Sequence, residues 1–350
     1  MELLSVTMND GVKPRSEIEG KDNSSEDKSN YKIVRKGDMV YNSMRMWQGA
    51  NGISPCDGIV SPAYTVLMPK QEINNGYFAA LFKSTKLINE FRKNSQGMTS
   101  DTWNLKYPQI ETIKVQIPSV SEQNIVSALF SVLDARIVAQ AQLVESLKKY
   151  KRGVNNQILS QIDNSYNCRL GSVCEIVGGG TPDTLHAEYW GNTVEWFTPS
   201  EIGKTKYVNN SVRKLSDIGL DNSSAKLLPI GTVLLTTRAT LGEMSIAKRE
   251  CSTNQGFQSL IPHTDRVSSE YLYYMQIIIK PWCEKYASGN TFREISKSAL
   301  SDCIIPIPDR ARQEQIVKLL SSIDMIIDAA ESISMSLSKI RHGLMQQLFI

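Results

Sequence analysis

The sequence predicts an α+β fold, in which two α/β domains are joined by two long antiparallel helices that form a coiled-coil spacer. Three observations support this prediction: an internal repeat, apolar stripes with helical spacing, and short β-branched runs between turn residues. Residues 113–160 match residues 303–350 without a gap, at a constant offset of 190 (303 minus 113). Because the repeated unit follows each domain once, we expect an internal pseudo-two-fold.

Each repeat begins with a strand-like segment that ends in Ile-Pro, at Ile117-Pro118 and Ile307-Pro308, where proline prevents the strand from continuing. Apolar residues then recur at steps of three and four, which places them in one stripe on each helix. The aligned positions are Val126, Phe130, Leu133, Ile137, Leu143, Leu147, Tyr150, Val154 and Ile158 in the first copy and Ile316, Leu320, Ile323, Ile327, Ile333, Leu337, Ile340, Leu344 and Leu348 in the second. The matched polar pairs predicted on the outer faces include Gln123/Gln313, Asp134/Asp324 and Gln157/Gln347.

A helix of about 35 to 40 residues is about 55 Å long, which is too long for its stripe to be buried against one small domain. Antiparallel pairing of the two helices solves this problem and puts the domains at opposite ends. The alternatives are that each helix packs only on its own domain, or that the helices form an intermolecular coiled coil. The predicted boundaries are 1–118 for the first domain, 119–165 for the first helix, 166–308 for the second domain and 309–350 for the second helix.

The two domains share a weaker similarity. Residues 36–40 and Arg45 parallel residues 230–234 and Arg238, and residues 64–69 parallel residues 257–262 at an offset of 193 (257 minus 64). Runs such as Thr232–Thr237 indicate strands, whereas residues 76–93 and 269–287 have helical periodicity. With residues 5–7 aligned to 196–198, residues 167–192 have no counterpart, so the first domain is expected to be truncated at its start.

Composition excludes some functional classes and leaves others open. The chain has 39 Lys+Arg against 36 Asp+Glu, a net charge of +3, which does not by itself indicate nucleic-acid binding. Any DNA-binding surface must be local or shared with a partner. No run of about 18 apolar residues and no basic-then-apolar N-terminus is present, so we expect a cytoplasmic protein. The six scattered cysteines predict reduced, mostly buried thiols and no metal site.

The layout resembles the specificity subunits of Type I restriction-modification systems, the HsdS family. The segments that carry the resemblance are Ile307-Pro308 through Arg312–Val317, the weaker copy Ile117-Pro118 through Glu122–Val126, Leu170–Val173 through Gly178–Pro182, Tyr189–Gly191 and Gly231–Leu235 before Arg238. The resemblance implies a non-catalytic subunit for bacterial defence and DNA modification, with two target-recognition domains that bind a bipartite site in double-stranded DNA. It also implies two methyltransferase (modification) subunits bound through the helices and two restriction/translocase subunits, with S-adenosylmethionine, ATP and Mg²⁺ in those partners.

DNA recognition needs Arg or Lys for guanine, Asn or Gln for adenine, and further polar groups for phosphates. The candidates in the first domain are Lys13, Arg15, Asn42, Arg45, Gln48, Arg92 and Lys93. Those in the second domain are Lys204, Lys206, Thr237, Arg238, Asn254, Gln255, Asn290, Arg293 and Lys297. Each of these can instead be a solvated side chain or part of a local salt bridge. Arg45 and Arg238 are stronger candidates because both follow a predicted strand at equivalent positions.

Other motifs give weaker signals. The run Gly178–Pro182 lacks the lysine and helix start of a phosphate-binding loop, and is interpreted as a flexible turn near DNA. Residues 203–205 resemble the end of a Walker A motif without its first glycine. A coiled-coil adaptor that binds only proteins remains the alternative function. A stand-alone nuclease or methyltransferase is disfavoured because the acidic residues show no clustered constellation.

Overall fold

The computed structural model describes residues 1–8, 10–20, 22, 24–99, 103–163, 166–238, 240–289 and 293–349. The chain forms two compact units. Unit 1 comprises Met1–Val144 and Ala329–Ile350, and unit 2 comprises Glu145–Asp328. Each unit therefore contains one globular domain together with a segment of each long helix. The units divide the helices rather than following the domain boundaries expected from the sequence.

The domain of unit 1 combines short strands with short helices. The strands are β1 (Glu2–Thr7), β2 (Gly11–Pro14), β3 (Lys32–Val34), β4 (Met39–Asn42), β5 (Asn51–Ile53), β6 (Gly58–Val60) and β7 (Tyr64–Leu67), and the helices are α1 (Asn75–Leu81), α2 (Thr85–Asn94) and α3 (Tyr107–Ile110). One sheet has the order β2-β1-β6-β3 and another the order β5-β4-β7. The helix expected over 76–93 is divided, because the Ser84 hydroxyl accepts from Leu87 N–H (3.3 Å) and starts α2 anew.

A long helix, α4 (Val120–Ser160), leads from unit 1 into unit 2. The domain of unit 2 contains β8 (Asn167–Arg169), β9 (Cys174–Gly178), β10 (Trp190–Gly191), β11 (Val194–Phe197), β12 (Tyr207–Val208), β13 (Arg213–Leu215), β14 (Val233–Leu235), β15 (Met244–Ala247), β16 (Cys251–Thr253), β17 (Gln258–Pro262) and β18 (Ile304–Pro306). Its short helices are α5 (Asp217–Asp221), α6 (Ser269–Tyr274), α7 (Gln276–Tyr286) and α8 (Lys297–Ser301). The second long helix, α9 (Arg310–Leu348), ends the fold.

The sheets of unit 2 correspond to those of unit 1, with additions. Their orders are β10-β13-β11-β16, β12-β15-β14-β17-β9 and β18-β8. The parallel pairing of β11 with β16 sets Glu195 opposite Cys251, and that of β1 with β6 sets Glu2 opposite Gly58. The first strand therefore aligns at the offset of 193 seen for residues 64–69. The sequence alignment of residues 5–7 with 196–198 was wrong by two residues.

The two long helices pack against each other in opposite directions, as their contacts within unit 1 show. The Arg341 guanidinium contacts Asp134, with Nε 2.5 Å from Oδ1. One turn earlier on α4, the ring of Phe130 stacks on Phe349, with centroids 5.7 Å apart. From Asp134 to Phe130 the residue number falls along α4, while the contacted residue changes from Arg341 to Phe349, so the pairing is antiparallel. The buried amide of Gln140 donates from Nε2 to the carbonyl of Ala330 (3.0 Å).

Unit 2 contains the repeat-related version of this packing. Lys151, which lies 190 residues before Arg341, places Nζ 2.5 Å from Oδ1 of Asp324. Ile158 of α4 belongs to the same buried core cluster as Ile316 and Leu320 of α9. Antiparallel pairing is thus confirmed inside each unit. Asp134 and Asp324 were expected on outer polar faces, and this expectation was wrong because both carboxylates bind cations of the opposite helix.

The matched glutamines Gln123 and Gln313 were also expected to be outward, and both are buried. Gln123 Nε2 donates to the Pro118 carbonyl (2.9 Å), and its Oε1 accepts from Asn74 N–H (2.9 Å). Gln313 makes the equivalent bonds to Pro308 and Ser268, at 2.9 and 3.1 Å. Each glutamine therefore joins the start of a long helix to the first turn of a domain helix. An amide suits this place because its side chain donates to one backbone carbonyl and accepts from one backbone N–H.

Helix α4 has a further property that the sequence test missed. By length and composition alone, it is the one helix in the described part of the chain that is apolar enough to cross a membrane. The apolar stretch is nevertheless interrupted by Asp134 and Arg136, and Asp134 forms the ion pair with Arg341. Only 11% of the apolar window is buried, so contact with α9 covers a minor part of it.

The cysteine side chains are free thiols, and four of the six are buried. Burial raises the pKa of Cys174, Cys251, Cys283 and Cys303 to about 12. Cys56 and Cys168 are only half-buried. The expectation of mostly buried thiols is confirmed, and the four buried ones pack as small apolar side chains.

Candidate nucleic-acid interface

The loop that follows β4 in unit 1 gathers several predicted DNA-binding residues. Met46 anchors this loop because its side chain is fully buried. Arg45 and Gln48 lie on either side of Met46 and extend from the loop, with Arg45 exposed. The turn closes at Gly49, which has a φ of +84°, a conformation that favours glycine. The loop thus presents a cation and an amide from a rigid base.

An aromatic pair extends this surface toward the end of α2. The Trp47 and Trp103 rings meet edge to face, with centroids 5.2 Å apart. The Arg92 guanidinium lies 5.8 Å from the Trp47 ring centroid and donates from Nε to the Trp47 carbonyl at 3.4 Å. Arg92 therefore belongs to the same surface as Arg45 and Gln48. The sequence did not identify the tryptophans that hold it there.

The other candidates of unit 1 have local partners. Lys13 pairs with Asp10 (3.3 Å), and Lys93 pairs with Glu90 (2.7 Å). The side-chain oxygen of Asn42 accepts from the N–H of Met44 (3.1 Å), which shapes the start of the loop.

Arg15 is largely covered and stabilises its own loop. Its Nη1 donates to the Ile18 carbonyl (2.7 Å), and Nη2 donates to the Gly20 carbonyl (2.9 Å). The geometry gives Arg15 a structural role, while contact of Lys13, Asn42 and Lys93 with DNA stays a prediction.

The equivalent loop of unit 2 follows β14 and carries Thr237 and Arg238. Arg238 Nη2 lies 2.9 Å from Oε2 of Glu294, so a carboxylate orients the guanidinium. The Thr237 side chain is fully buried. Thr237 N–H donates to the Gly256 carbonyl (2.8 Å), which joins this loop to the loop before β17. Arg238 is the more accessible of the two, with 41% of its side chain exposed, whereas Thr237 is buried beneath the loop surface.

The loop before β17 carries Asn254 and Gln255. Asn254 Oδ1 accepts from Gly256 N–H (2.9 Å), and the side-chain Oε1 of Gln255 accepts from the hydroxyl of Thr181. The structure therefore brings Thr237, Arg238, Asn254 and Gln255 together on adjacent loops. Thr181, from the glycine-rich segment, joins them and was not among the predicted residues.

The glycine-rich segment itself is packed rather than flexible. A Cβ added at Gly179 would lie 2.1 Å from the Asn254 carbonyl oxygen, and one at Gly180 would lie 2.3 Å from the Ser224 hydroxyl oxygen. Glycine is required at both positions because other backbone approaches closely. The interpretation of this run as a flexible turn was wrong, although it does lie against the loop that carries Asn254.

Some of the remaining candidates of unit 2 are exposed, and others form hydrogen bonds within the protein. Lys204, Arg293 and Lys297 are exposed, and Arg293 also donates to the Glu284 carbonyl. Asn290 lies outside the described residues.

Lys206 is turned inward, where Nζ donates to Tyr274 Oη and Ser321 Oγ, each at 3.1 Å. Desolvation lowers the pKa of its ammonium group. Its contacts with Tyr274 of α6 and Ser321 of α9 give Lys206 a structural role, and its contact with DNA stays a prediction.

Comparison with protein families resolves the identity of this fold. The family described as the Type I restriction modification DNA specificity domain matches residues 5–164 and again residues 162–337. The chain belongs to this specificity family. Each match covers one globular domain and all or most of the long helix that follows it, so the duplication predicted from the repeat is confirmed.

Individual relatives agree with this assignment. The specificity subunit of Type I restriction enzyme MjaIX from Methanocaldococcus jannaschii is 34% identical over 186 residues, which cover 52% of this chain and 43% of the relative. The EcoR124I/EcoR124II specificity subunit from Escherichia coli is 24% identical over 251 residues, covering 67% and 61%. The matched parts therefore span 43% and 61% of the length of these two relatives.

Solved structures of specificity subunits and their complexes share the fold. A chain from a structure that describes complex assembly and conformational transition of a type I R-M system has a TM-score of 0.62 at 20% identity, covering 93% of this chain and 84% of that one. The S subunit from M. genitalium has a TM-score of 0.56 at 16% identity, covering 91% and 84%. These similarities confirm the α+β fold of the specificity-family chain.

Proposed function

We propose that this chain is the DNA sequence-specificity subunit of a Type I restriction-modification enzyme and binds a bipartite target. The observation that carries the proposal is the duplicated specificity domain, in which the same loop of each unit presents an arginine, Arg45 in one and Arg238 in the other. Each domain would bind one half-site. The different side chains around the two arginines would make the two half-sites different in sequence.

Glu294 gives Arg238 the geometry that base recognition needs. The carboxylate contacts Nη2 of the guanidinium at 2.9 Å, while the remaining N–H groups are able to donate to guanine O6 and N7. Thr237 donates weakly to the same carboxylate, at 3.5 Å. A preorganised arginine loses less side-chain entropy on binding than a free one. We therefore assign Arg238 to base contact and exposed Lys204 to phosphate contact.

The long helices supply a surface for partner subunits. On α9, Leu319, Ile326, Ile333 and Ile340 are exposed at intervals of seven residues. The aligned positions of α4 include exposed Leu129, Leu143 and Tyr150. An exposed apolar stripe on a helix is typical of a protein interface. Two modification subunits would dock here, two restriction/translocase subunits would complete the enzyme, and S-adenosylmethionine, ATP and Mg²⁺ would bind in those partners in the cytoplasm. Catalysis would then lie outside this chain.

Methylation mapping tests the proposal directly. The chain is expressed with a modification subunit in a host that lacks other methylation, and modified adenines are located across the genome. Arg238→Ala should relax one base position in one half-site, at a discrimination cost of about 1–3 kcal/mol, because a bidentate contact is lost. Arg45→Ala should relax a position in the other half-site. Arg238→Lys should not restore discrimination, since lysine cannot replace a bidentate guanidinium.

The matched control is Arg249→Ala, which removes an exposed arginine outside the candidate loops. It should leave the methylated motif unchanged. A coiled-coil adaptor without DNA specificity would instead give no motif, and would bind scrambled and target duplexes equally in the presence of the modification subunit. An unchanged motif in both Arg238→Ala and Arg45→Ala would remove these residues from the interface.

A further inference from the structure

In unit 2, one continuous segment covers two sheet edges. Residues of β9 pair antiparallel with β17, with Ile176 opposite Leu260. A few residues earlier, β8 pairs antiparallel with β18, with Cys168 opposite Ile305. A short turn of 3-10 helix at Leu170–Ser172 joins the two strands. The segment 167–178 is therefore a strand–turn–strand unit that satisfies the backbone of both edges at once.

In unit 1, the equivalent edges have no such cover among the residues that the structure describes. Strand β7, which corresponds to β17, is the last strand in the order β5-β4-β7. Residues 114–117, which correspond to 304–307, form no strand, and no backbone hydrogen bond of these residues occurs within the described chain. Val115 is 38% exposed, whereas Ile305 is fully buried. Both edges thus have unused donors and acceptors.

We propose that these two edges bind one strand–turn–strand segment of a partner polypeptide. Unpaired sheet edges bind extended peptides through backbone hydrogen bonds, with apolar side chains supplying further affinity. The apolar anchors would occupy the places that Leu170, Val173 and Ile176 fill in unit 2, where all three are buried. The proposal does not depend on DNA recognition, because neither edge includes Arg45, Gln48 or Arg92.

Charge defines what kind of segment fits. In unit 2, Arg169 faces Ile304 across the strand pair and lies 3.5 Å from Asp302. In unit 1, Lys114 takes the place of Ile304 and Thr112 takes the place of Asp302. A cation at the Arg169 position would therefore face a lysine and lose its carboxylate partner. The bound segment should instead carry an acidic residue there, since opposite charges across a strand pair attract.

Two labelled peptides test this inference on the intact 350-residue chain. One has the sequence of residues 166–179 with both cysteines replaced by alanine, and the other also carries Arg169→Glu. Fluorescence anisotropy should show saturable binding of both, with the Glu peptide tighter by up to about five-fold. The protein variant Lys114→Glu should reverse this preference. A scrambled peptide is the control.

Proline at position 115 tests the backbone component. By the alternation of antiparallel pairs, Val115 corresponds to a hydrogen-bonded position of β18. Its N–H has no partner in the described structure, so Val115→Pro should leave thermal unfolding unchanged and abolish binding. Hydrogen exchange of Val115 and Ile117 should slow when the Glu peptide is added.

Three outcomes would overturn the proposal. The first is no saturation by either peptide at about 1 mM, and the second is binding that Val115→Pro does not affect. The third is a dimer of the chain in sedimentation velocity that Val115→Pro dissociates, which would identify a second copy as the occupant. Methylation mapping is independent of each result, so failure here would leave the proposed DNA-binding function intact.

Discussion

The two units use the same junction between domain and helix but surround it differently. In both, a buried glutamine accepts from the N-cap residue of a domain helix and donates to the proline carbonyl before the long helix. Gln313 additionally donates to the Arg266 carbonyl at 2.8 Å. The guanidinium of Arg266 in turn donates to the Ser172 carbonyl at 2.9 Å, within the segment that covers the edges of unit 2. The junction is therefore common to both units, whereas among the described residues the additional hydrogen bonds that lead to segment 167–178 occur in unit 2 only.

Hydrogen exchange should show the largest difference between the units. The N–H of Ile307 donates to the Tyr166 carbonyl at 2.9 Å, and Ile305 lies within a strand pair. The equivalent Ile117 and Val115 have no such partners in the described structure. We expect the backbone N–H groups of Ile305 and Ile307 to exchange about a thousand-fold more slowly than those of Val115 and Ile117. Mass spectrometry of exchanged peptides measures this, and equal protection would show that the edges of unit 1 are already covered.

Removal of the junction glutamines should have the next largest effect. Gln313→Ala leaves two carbonyls and one N–H unpaired in a buried place, whereas Gln123→Ala leaves one of each. We expect losses of about 3 and about 2 kcal/mol in the free energy of unfolding, respectively. Urea unfolding followed by circular dichroism measures both. The matched controls are Gln157→Ala and Gln347→Ala, at exposed positions of the long helices. Each is expected to change the free energy of unfolding by less than about 0.5 kcal/mol. Equal losses at all four positions would contradict the stabilising role of Gln123 and Gln313 at the junction.

The interhelical carboxylates should show a smaller difference. Asp324 is more buried than Asp134, and its Oδ2 also accepts from the Tyr274 hydroxyl at 2.7 Å. We expect Asp324→Ala to cost about 1–3 kcal/mol and Asp134→Ala at most about 1 kcal/mol. Unfolding at low and high salt checks the cause, because salt should reduce the Asp134 effect more. A larger loss at Asp134 would reverse the ranking of the two ion pairs.

Local sequence patterns predicted the long helices, whereas they could not predict side-chain contacts between distant parts of the chain. The Ile-Pro segments and apolar steps predicted both long helices to within a few residues at each end. The same periodicity assigned Gln123, Asp134 and their repeats to outer faces, because it separates apolar from polar positions and cannot identify a buried polar side chain with a partner. In the candidate interface, Arg45 and Arg238 lie on equivalent loops as predicted. The Glu294 carboxylate beside Arg238 could not be predicted, since the contact joins distant parts of the chain.

The inward turn of Lys206 has a similar origin. Its sequence neighbours, Lys204 and Thr205, are exposed, and nothing in their pattern distinguishes it from them. The distinction comes from Tyr274 and Ser321, which belong to a domain helix and a long helix. Charge in a sequence predicts which side chains are able to bind phosphate, and packing decides which of them are free to do so.

The amide of Gln140 has a mechanical consequence for the helix pair. An apolar seam alone tolerates sliding, because one leucine-sized side chain replaces another after a turn of about 5.4 Å. A shift of that size would leave the buried amide of Gln140 without its hydrogen bond to the Ala330 carbonyl. It would also separate Arg341 from Asp134. The two polar contacts therefore fix one axial register between α4 and α9 in unit 1.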